Sequence, residues 1–266
     1  MSMMTLLEKC NNLYRKLKCC HPIDNPLTCN CGRCWGNDFY TTDSYDCLKK
    51  LCYYTMNYGP AFASEIYHYL SESRILEQNF NNRRINILSL GCGFSPEVYA
   101  IEKYIEDFGL NIEYNYIGLD IEKRWSIIRE EGYNRYYEIR DLLDGFTLEN
   151  YDLVFICKVF STMRRNNSGQ SFIFINNLRE QIKRMNEGSY LIFDDVNHVE
   201  CGRDFFDRNV KDLFTECNYY YFPIERAYSN AYIQISNILN VFDYPENIAV
   251  IPSRNVFKTV IFEYRK

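Results

Sequence analysis

The sequence has no run approaching the roughly 18 apolar residues that a membrane-crossing helix needs, so no transmembrane span and no membrane partner are expected. The first twenty residues mix charges and asparagines with short apolar runs. They hold no secretory hydrophobic region, and the expected compartment is therefore cytoplasmic. An excess of positive charge is also missing: 30 Lys and Arg stand against 35 Asp and Glu, a formal net charge of −5. Composition thus gives nucleic acid no support as a partner. The balance is uneven, with ten basic against eight acidic residues in 1–84 and twenty against twenty-seven in the remainder. Neither part carries a strongly basic face. Internal repeats and low-complexity tracts are absent as well. No C-x-x-C pair recurs at finger spacing, which removes the strongest sequence sign of a zinc module.

A length of 266 residues suits one large domain, or one domain with a small appendage. The most informative stretch is Ile87-Leu88-Ser89-Leu90-Gly91-Cys92-Gly93-Phe94-Ser95-Pro96-Glu97. It reads as an apolar strand, a glycine turn and a helix, with Ser95 as N-cap and Pro96 at the first helical position. Val98, Ile101, Ile105 and Phe108 follow at helical spacing. Gly91 and Gly93 let backbone approach a ligand closely, and a helix start offers free N–H groups.

The dinucleotide fingerprint needs a third small residue five places after the first glycine, and Pro96 stands there. A nicotinamide or flavin site is therefore disfavoured. The next apolar run, 114–119, ends in Asp120-Ile121, and a carboxylate there can accept both hydroxyls of a ribose. A third segment, 136–142, places Asp141-Leu142 just past a short strand.

These residues resemble the class I, Rossmann-like S-adenosylmethionine-dependent methyltransferases. The resemblance spans roughly 84–266. It implies that the glycine turn, Leu90 to Gly93, meets the methionine part of S-adenosylmethionine, that Asp120 and Ile121 meet the ribose, and that Asp141 and Leu142 meet the adenine. Cys157, ending the fourth strand, is expected to line the same pocket. Two positions depart from the family pattern: Ser89 stands where an acid is common, and Ser95 replaces the third glycine.

Eight of the twelve cysteines lie between Cys10 and Cys52. In a cytosolic chain such clustering favours metal over disulfides. Cys29, Cys31 and Cys34 can converge on one tetrahedral zinc ion. Cys47, at a helix start, is the first choice for the fourth ligand, with Cys20 or His21 as alternatives. The competing reading is a set of reduced, partly buried thiols.

Helices are expected over 46–58 and 61–77, separated at Gly59-Pro60, with a polar boundary at 79–84. The domains would then be a cysteine-rich helical module, 1–80, and the methyltransferase domain, 81–266. Beyond the boundary strands and helices alternate, which predicts an α/β fold with a mostly parallel sheet. Seven strands are expected at 85–90, 114–120, 135–139, 151–157, 189–194, 217–223 and 256–263. The expected helices lie near 96–107, 123–131, 169–186 and 203–215. Residues 224–254 form a long connection with the length of a lid.

Methyl transfer needs an oriented acceptor and sometimes a base. Asp194, Asp195 and His198, at the end of the fifth strand, are the candidates. The Asn/Asp-Pro-Pro-Tyr/Phe motif of amino-methylating DNA enzymes is absent, and Cys157 lacks the preceding proline of cytosine C5 enzymes. The expected function is methyl transfer to RNA, protein or a small molecule. Rival readings are a non-catalytic binding or interaction protein that keeps the fold, and transfer of another group from the same cofactor.

Overall fold

Near-continuous apolar runs become the middle of a sheet. In the computed structural model, which describes residues 2–17, 47–222, 232–252 and 259–266, the strands Leu153–Cys157 and Tyr190–Val196 are buried on both faces except for Val196. Such runs suit parallel strands covered by helices on either side. In chain order the strands are β1 (Arg83–Leu90), β2 (Ile112–Asp120), β3 (Arg135–Ile139), β4 (Leu153–Cys157), β5 (Tyr190–Val196), β6 (Glu216–Tyr221), β7 (Ile233–Gln234) and β8 (Thr259–Arg265).

The sheet runs β3-β2-β1-β4-β5-β8-β6-β7. It has eight strands where seven were expected; the short β7 adds an edge beyond β6. β1 to β5 pair in parallel, and β8 lies antiparallel between β5 and β6. Strand order reverses between β1 and β4. In open α/β sheets the crevice outside the carboxyl ends of strands at such a point receives ligands.

The helices are α1 (Met3–Lys16), α2 (Leu48–Ser73), α3 (Ile75–Asn79), α4 (Pro96–Phe108), α5 (Trp125–Ile128), α6 (Phe160–Asn166), α7 (Ser168–Ile182) and α8 (Arg203–Val210). The expected break at Gly59-Pro60 does not occur, and α2 runs through it. Proline in a helix interior costs about 3 kcal/mol. Burial of this helix offsets that cost, because Phe62, Ala63, Ile66, Tyr69 and Leu70 all lie in the core. The polar stretch 79–84 contains Phe80, which is buried, and one apolar cluster joins Ile66, Tyr69 and Leu70 of α2 to β1 and α4. The α5 helix is shorter than the expected 123–131, and α6 was not expected.

The described part of the long connection lies against the amino-terminal helices. Ser64 Oγ accepts from Val241 N–H at 3.0 Å, and Asn247 O accepts from Asn11 and Arg15 at 3.0 and 2.8 Å. Among the described residues no helix is long and apolar enough to cross a membrane.

Candidate functional site

β1 delivers the chain into a turn that only glycine permits. Gly91 has φ +71°, and a Cβ there would lie 2.5 Å from a methyl of Val159. The N–H groups of Gly91 and Cys92 both donate to Leu119 O, at 2.8 and 3.0 Å, which ties the turn to the end of β2. Ser95 does occupy the N-cap position of α4. However, its φ of +66° places it in the left-handed region, and its side chain makes no capping bond.

Asp120, last in β2, faces this turn. Its carboxylate accepts from Gly93 N–H and from Glu122 N–H, both at 2.8 Å. Burial raises its pKa, while the two N–H bonds and nearby Arg129 work in the opposite direction. Arg129 was not anticipated. It is buried, donates to Gly93 O at 2.9 Å and Cys92 Sγ at 2.8 Å, and lies 4.1 Å from the Tyr137 ring centre. It braces the turn from beneath. Asp141 sits past β3 and accepts from Leu143 N–H at 2.9 Å.

These elements enclose a pocket of about 390 Å³ at the β1/β4 switch point. Gly91, Cys92, Gly93, Asp120, Ile121, Asp141, Leu142 and Cys157 all line it. Leu90 lies fully buried beneath. Burial pushes the Cys92 and Cys157 thiols up, so both are neutral wall groups rather than nucleophiles. The same pocket is also lined by Tyr54 and Phe62 of α2, Lys158 and Val159 after β4, and Thr162 and Met163 of α6.

Lys158 is the pocket residue that sequence reasoning missed most plainly. It has φ +58° and, with 9% side-chain exposure, reaches the pocket wall. Its Nζ lies 2.7 Å from Glu65 Oε2, 2.9 Å from Asp194 Oδ1 and 2.6 Å from Thr259 Oγ1. Thr259 in turn donates to Glu65 Oε1 at 2.9 Å. Burial opposes the lysine's charge, but the two carboxylates outweigh it and raise its pKa. It is held cationic and is no general base. A lysine directly after the apolar run of β4, and a glutamate on the buried face of α2, were the available signals.

The three acceptor-side candidates do not line the pocket. Asp194 is fully buried behind Lys158. Asp195 is buried and accepts from Ser161 N–H at 2.8 Å, holding the start of α6. His198 is exposed, and its Nδ1 accepts from Glu200 N–H at 3.2 Å. Of the zinc candidates, Cys29, Cys31 and Cys34 lie outside the described residues, as do Cys20 and His21. Cys47 is buried immediately before α2. Among the described residues no three His, Cys, Asp or Glu side chains group as a metal site.

No protein-family model matches the chain, and no curated protein matches it. Among solved structures, the chain is similar to the N-methyltransferase NodS from Bradyrhizobium japonicum WM9 in complex with S-adenosyl-L-homocysteine. That match has 14% identity and a TM-score of 0.45, and it covers 77% of this chain and 87% of that one. A TehB-like SAM-dependent methyltransferase from Corynebacterium glutamicum ATCC 13032 Kitasato matches at 12% identity over 76% of this chain and 98% of that one, TM-score 0.42. An S-adenosylmethionine-dependent methyltransferase from Clostridium acetobutylicum ATCC 824 matches at 10% over 76% and 91%, TM-score 0.44.

Proposed function

We propose that this protein is an S-adenosylmethionine-dependent methyltransferase. One observation carries the reading: Asp120 and the Gly91–Gly93 turn meet in a single pocket at the point where strand order reverses. The residues fit the cofactor. Gly91 and Gly93 leave the turn without side chains. The Asp120 carboxylate is fixed by two N–H groups, yet each oxygen keeps acceptor capacity for a ribose hydroxyl. Asp141 and Leu142 form the wall where an adenine would lie.

Bound S-adenosylmethionine would supply a methyl group activated on a sulfonium sulfur. The chain's own part is to hold and orient. The turn and Asp120 fix the cofactor, α2 and α6 wall off the acceptor end, and Asp194 acts there through Lys158 rather than by contact. In this reading Asp195 contributes by holding α6, and His198 by shaping the turn at 199–201.

Calorimetry with S-adenosylhomocysteine tests the assignment. A hydrogen bond to an ionised partner contributes about 1.5–3 kcal/mol, so Asp120→Ala should weaken binding tenfold or more. Unchanged affinity in a folded variant would remove Asp120 from the site. We further infer one zinc ion on Cys29, Cys31 and Cys34 with Cys47 as fourth ligand. Elemental analysis of reduced, chelator-free protein should find it in stoichiometric amount, and its absence ends that assignment.

A further inference from the structure

With S-adenosylmethionine held as proposed, its charged sulfur meets one particular stretch of the pocket wall. On this side of the sheet the strand order is β3-β2-β1-β4. Asp141 lies past β3, Asp120 at the end of β2, the glycine turn past β1 and Lys158 past β4. In the ligand, adenine and sulfur hang from opposite sides of the ribose. With adenine on the Asp141 side and the ribose at Asp120, the sulfur falls beside the turn, whose Gly93 N–H is 2.8 Å from the Asp120 carboxylate.

Three aromatic rings stand at that place. Phe94 of the turn, Trp125 of α5 and Tyr54 of α2 all line the pocket. The Tyr54 ring centre is 6.1 Å from that of Phe94 and 6.3 Å from that of Trp125, and the last two are 6.2 Å apart. The ring planes are inclined to one another by 66°, 58° and 56°, so the three form a corner and not a stack. Carbons of the Trp125 ring come within 3.7 Å of the point where a Cβ on Gly93 would lie. The corner thus adjoins the turn. Phe94 and Trp125 are buried and pack with Leu6, Leu7 and Leu51 of the amino-terminal helices, which holds the corner in shape. The neighbouring ring, Phe62, already has a cation, with Lys158 Nζ 5.0 Å from its centre. Lys158 ion-pairs with Asp194, and the two together add no net positive charge to the wall.

We propose that the Tyr54–Phe94–Trp125 corner receives the sulfonium of S-adenosylmethionine, and that the protein therefore holds the charged cofactor more tightly than its neutral thioether product. This deepens the methyltransferase reading and rests on it. Ring faces carry the negative part of the aromatic quadrupole and attract cations, most strongly where water is excluded. Between the exposed and the desolvated limits the contact amounts to roughly two- to thirtyfold in affinity. The glycine turn and Asp120 meet groups that cofactor and product share, so they do not tell the two apart. The corner does. In transfer the acceptor's lone pair forms the new bond to the methyl carbon, the C–S electron pair stays on sulfur, and the sulfur becomes neutral. The hold of the rings on the spent cofactor is then lost.

Calorimetry on the full chain, freed of co-purifying ligand, reads the ratio of the affinities for S-adenosylmethionine and S-adenosylhomocysteine. The natural chain should favour S-adenosylmethionine at least about fivefold. Tyr54→Leu keeps an apolar side chain against the methyl group but removes a ring face. It should bring the ratio toward unity, mainly by weakening S-adenosylmethionine. Tyr54→Phe keeps the face and should keep the ratio. An intact thermal transition shows that each variant is folded. Equal binding of the two ligands by the natural chain, or tighter binding of the product, overturns the inference without recourse to a variant. A ratio that a folded Tyr54→Leu leaves unchanged, or that Tyr54→Phe loses, overturns it too. In each case the cofactor reading stands. Failure to bind either ligand would instead overturn the cofactor reading.

Discussion

Asp120 serves the fold by itself, and in the proposed reading it serves the ligand as well. Its oxygens are spaced to take one N–H from the glycine turn and one from its own loop, so the turn is set before any ligand arrives. Gly91 is the matching residue on the other side. Replacement by Ala puts a Cβ 2.5 Å from Val159 at a positive φ, which combines a clash with backbone strain. Gly91→Ala should lower the thermal midpoint and abolish S-adenosylhomocysteine binding by calorimetry; normal binding would mean that the turn is not the cofactor loop. Gly91, Gly93 and Asp120 were legible in the sequence because turn chemistry is local and each sits at the end of an apolar run. The Glu65–Lys158–Asp194 cluster was not, since its members come from distant parts of the chain and are joined only by the sheet. Arg129 was hidden for the same reason: nothing near it in sequence says that its guanidinium lies beneath Gly93.

The strands were easier to read than the helices. The first five strands fall close to their expected places; β4 and β5 are compact apolar runs, and β2 alternates buried with more exposed positions. In α2 the pair Gly59-Pro60 signals a break that tertiary burial overrides. The short α6 follows β4 after only two residues, too abruptly for periodicity to separate the two. Gly118 also escaped notice, as an ordinary strand position. A Cβ there would meet Cys92 Sγ at 2.7 Å and a Tyr137 ring carbon at 2.8 Å. Overpacking of this kind costs about 1–3 kcal/mol. Gly118→Ala should destabilise the protein by that amount in denaturant titrations and push the glycine turn out of place. Weaker S-adenosylhomocysteine binding is expected with it. Full stability in this variant would show that β2 and the turn have slack between them.

Across the whole molecule, burial raises the pKa of Glu65, Glu97, Asp120, Asp194 and Asp195 together. In the unfolded chain such groups ionise near 4, whereas the folded protein keeps Glu65 protonated up to about 8. Over that interval the folded state binds more protons, so their contribution to stability is present at low pH and is lost as pH rises through the folded values. The thermal midpoint should fall from about pH 5 to about pH 8, and Glu65→Gln should flatten part of that slope. A midpoint that climbs across the interval would contradict the buried, proton-retaining state of these acids. The sheet order has a consequence of another kind, for the order of synthesis. β8 lies between β5 and β6, so a ribosome emits both neighbours before the strand that separates them. Until β8 emerges, two strand edges stand open, and open edges are where chains pair wrongly. Thr259, which bonds both Glu65 and Lys158, is the first residue of β8. The Glu65–Lys158–Thr259 side of the pocket is therefore among the last parts of the protein to be finished, and a nascent chain halted before β8 can present the glycine turn but not the completed cluster.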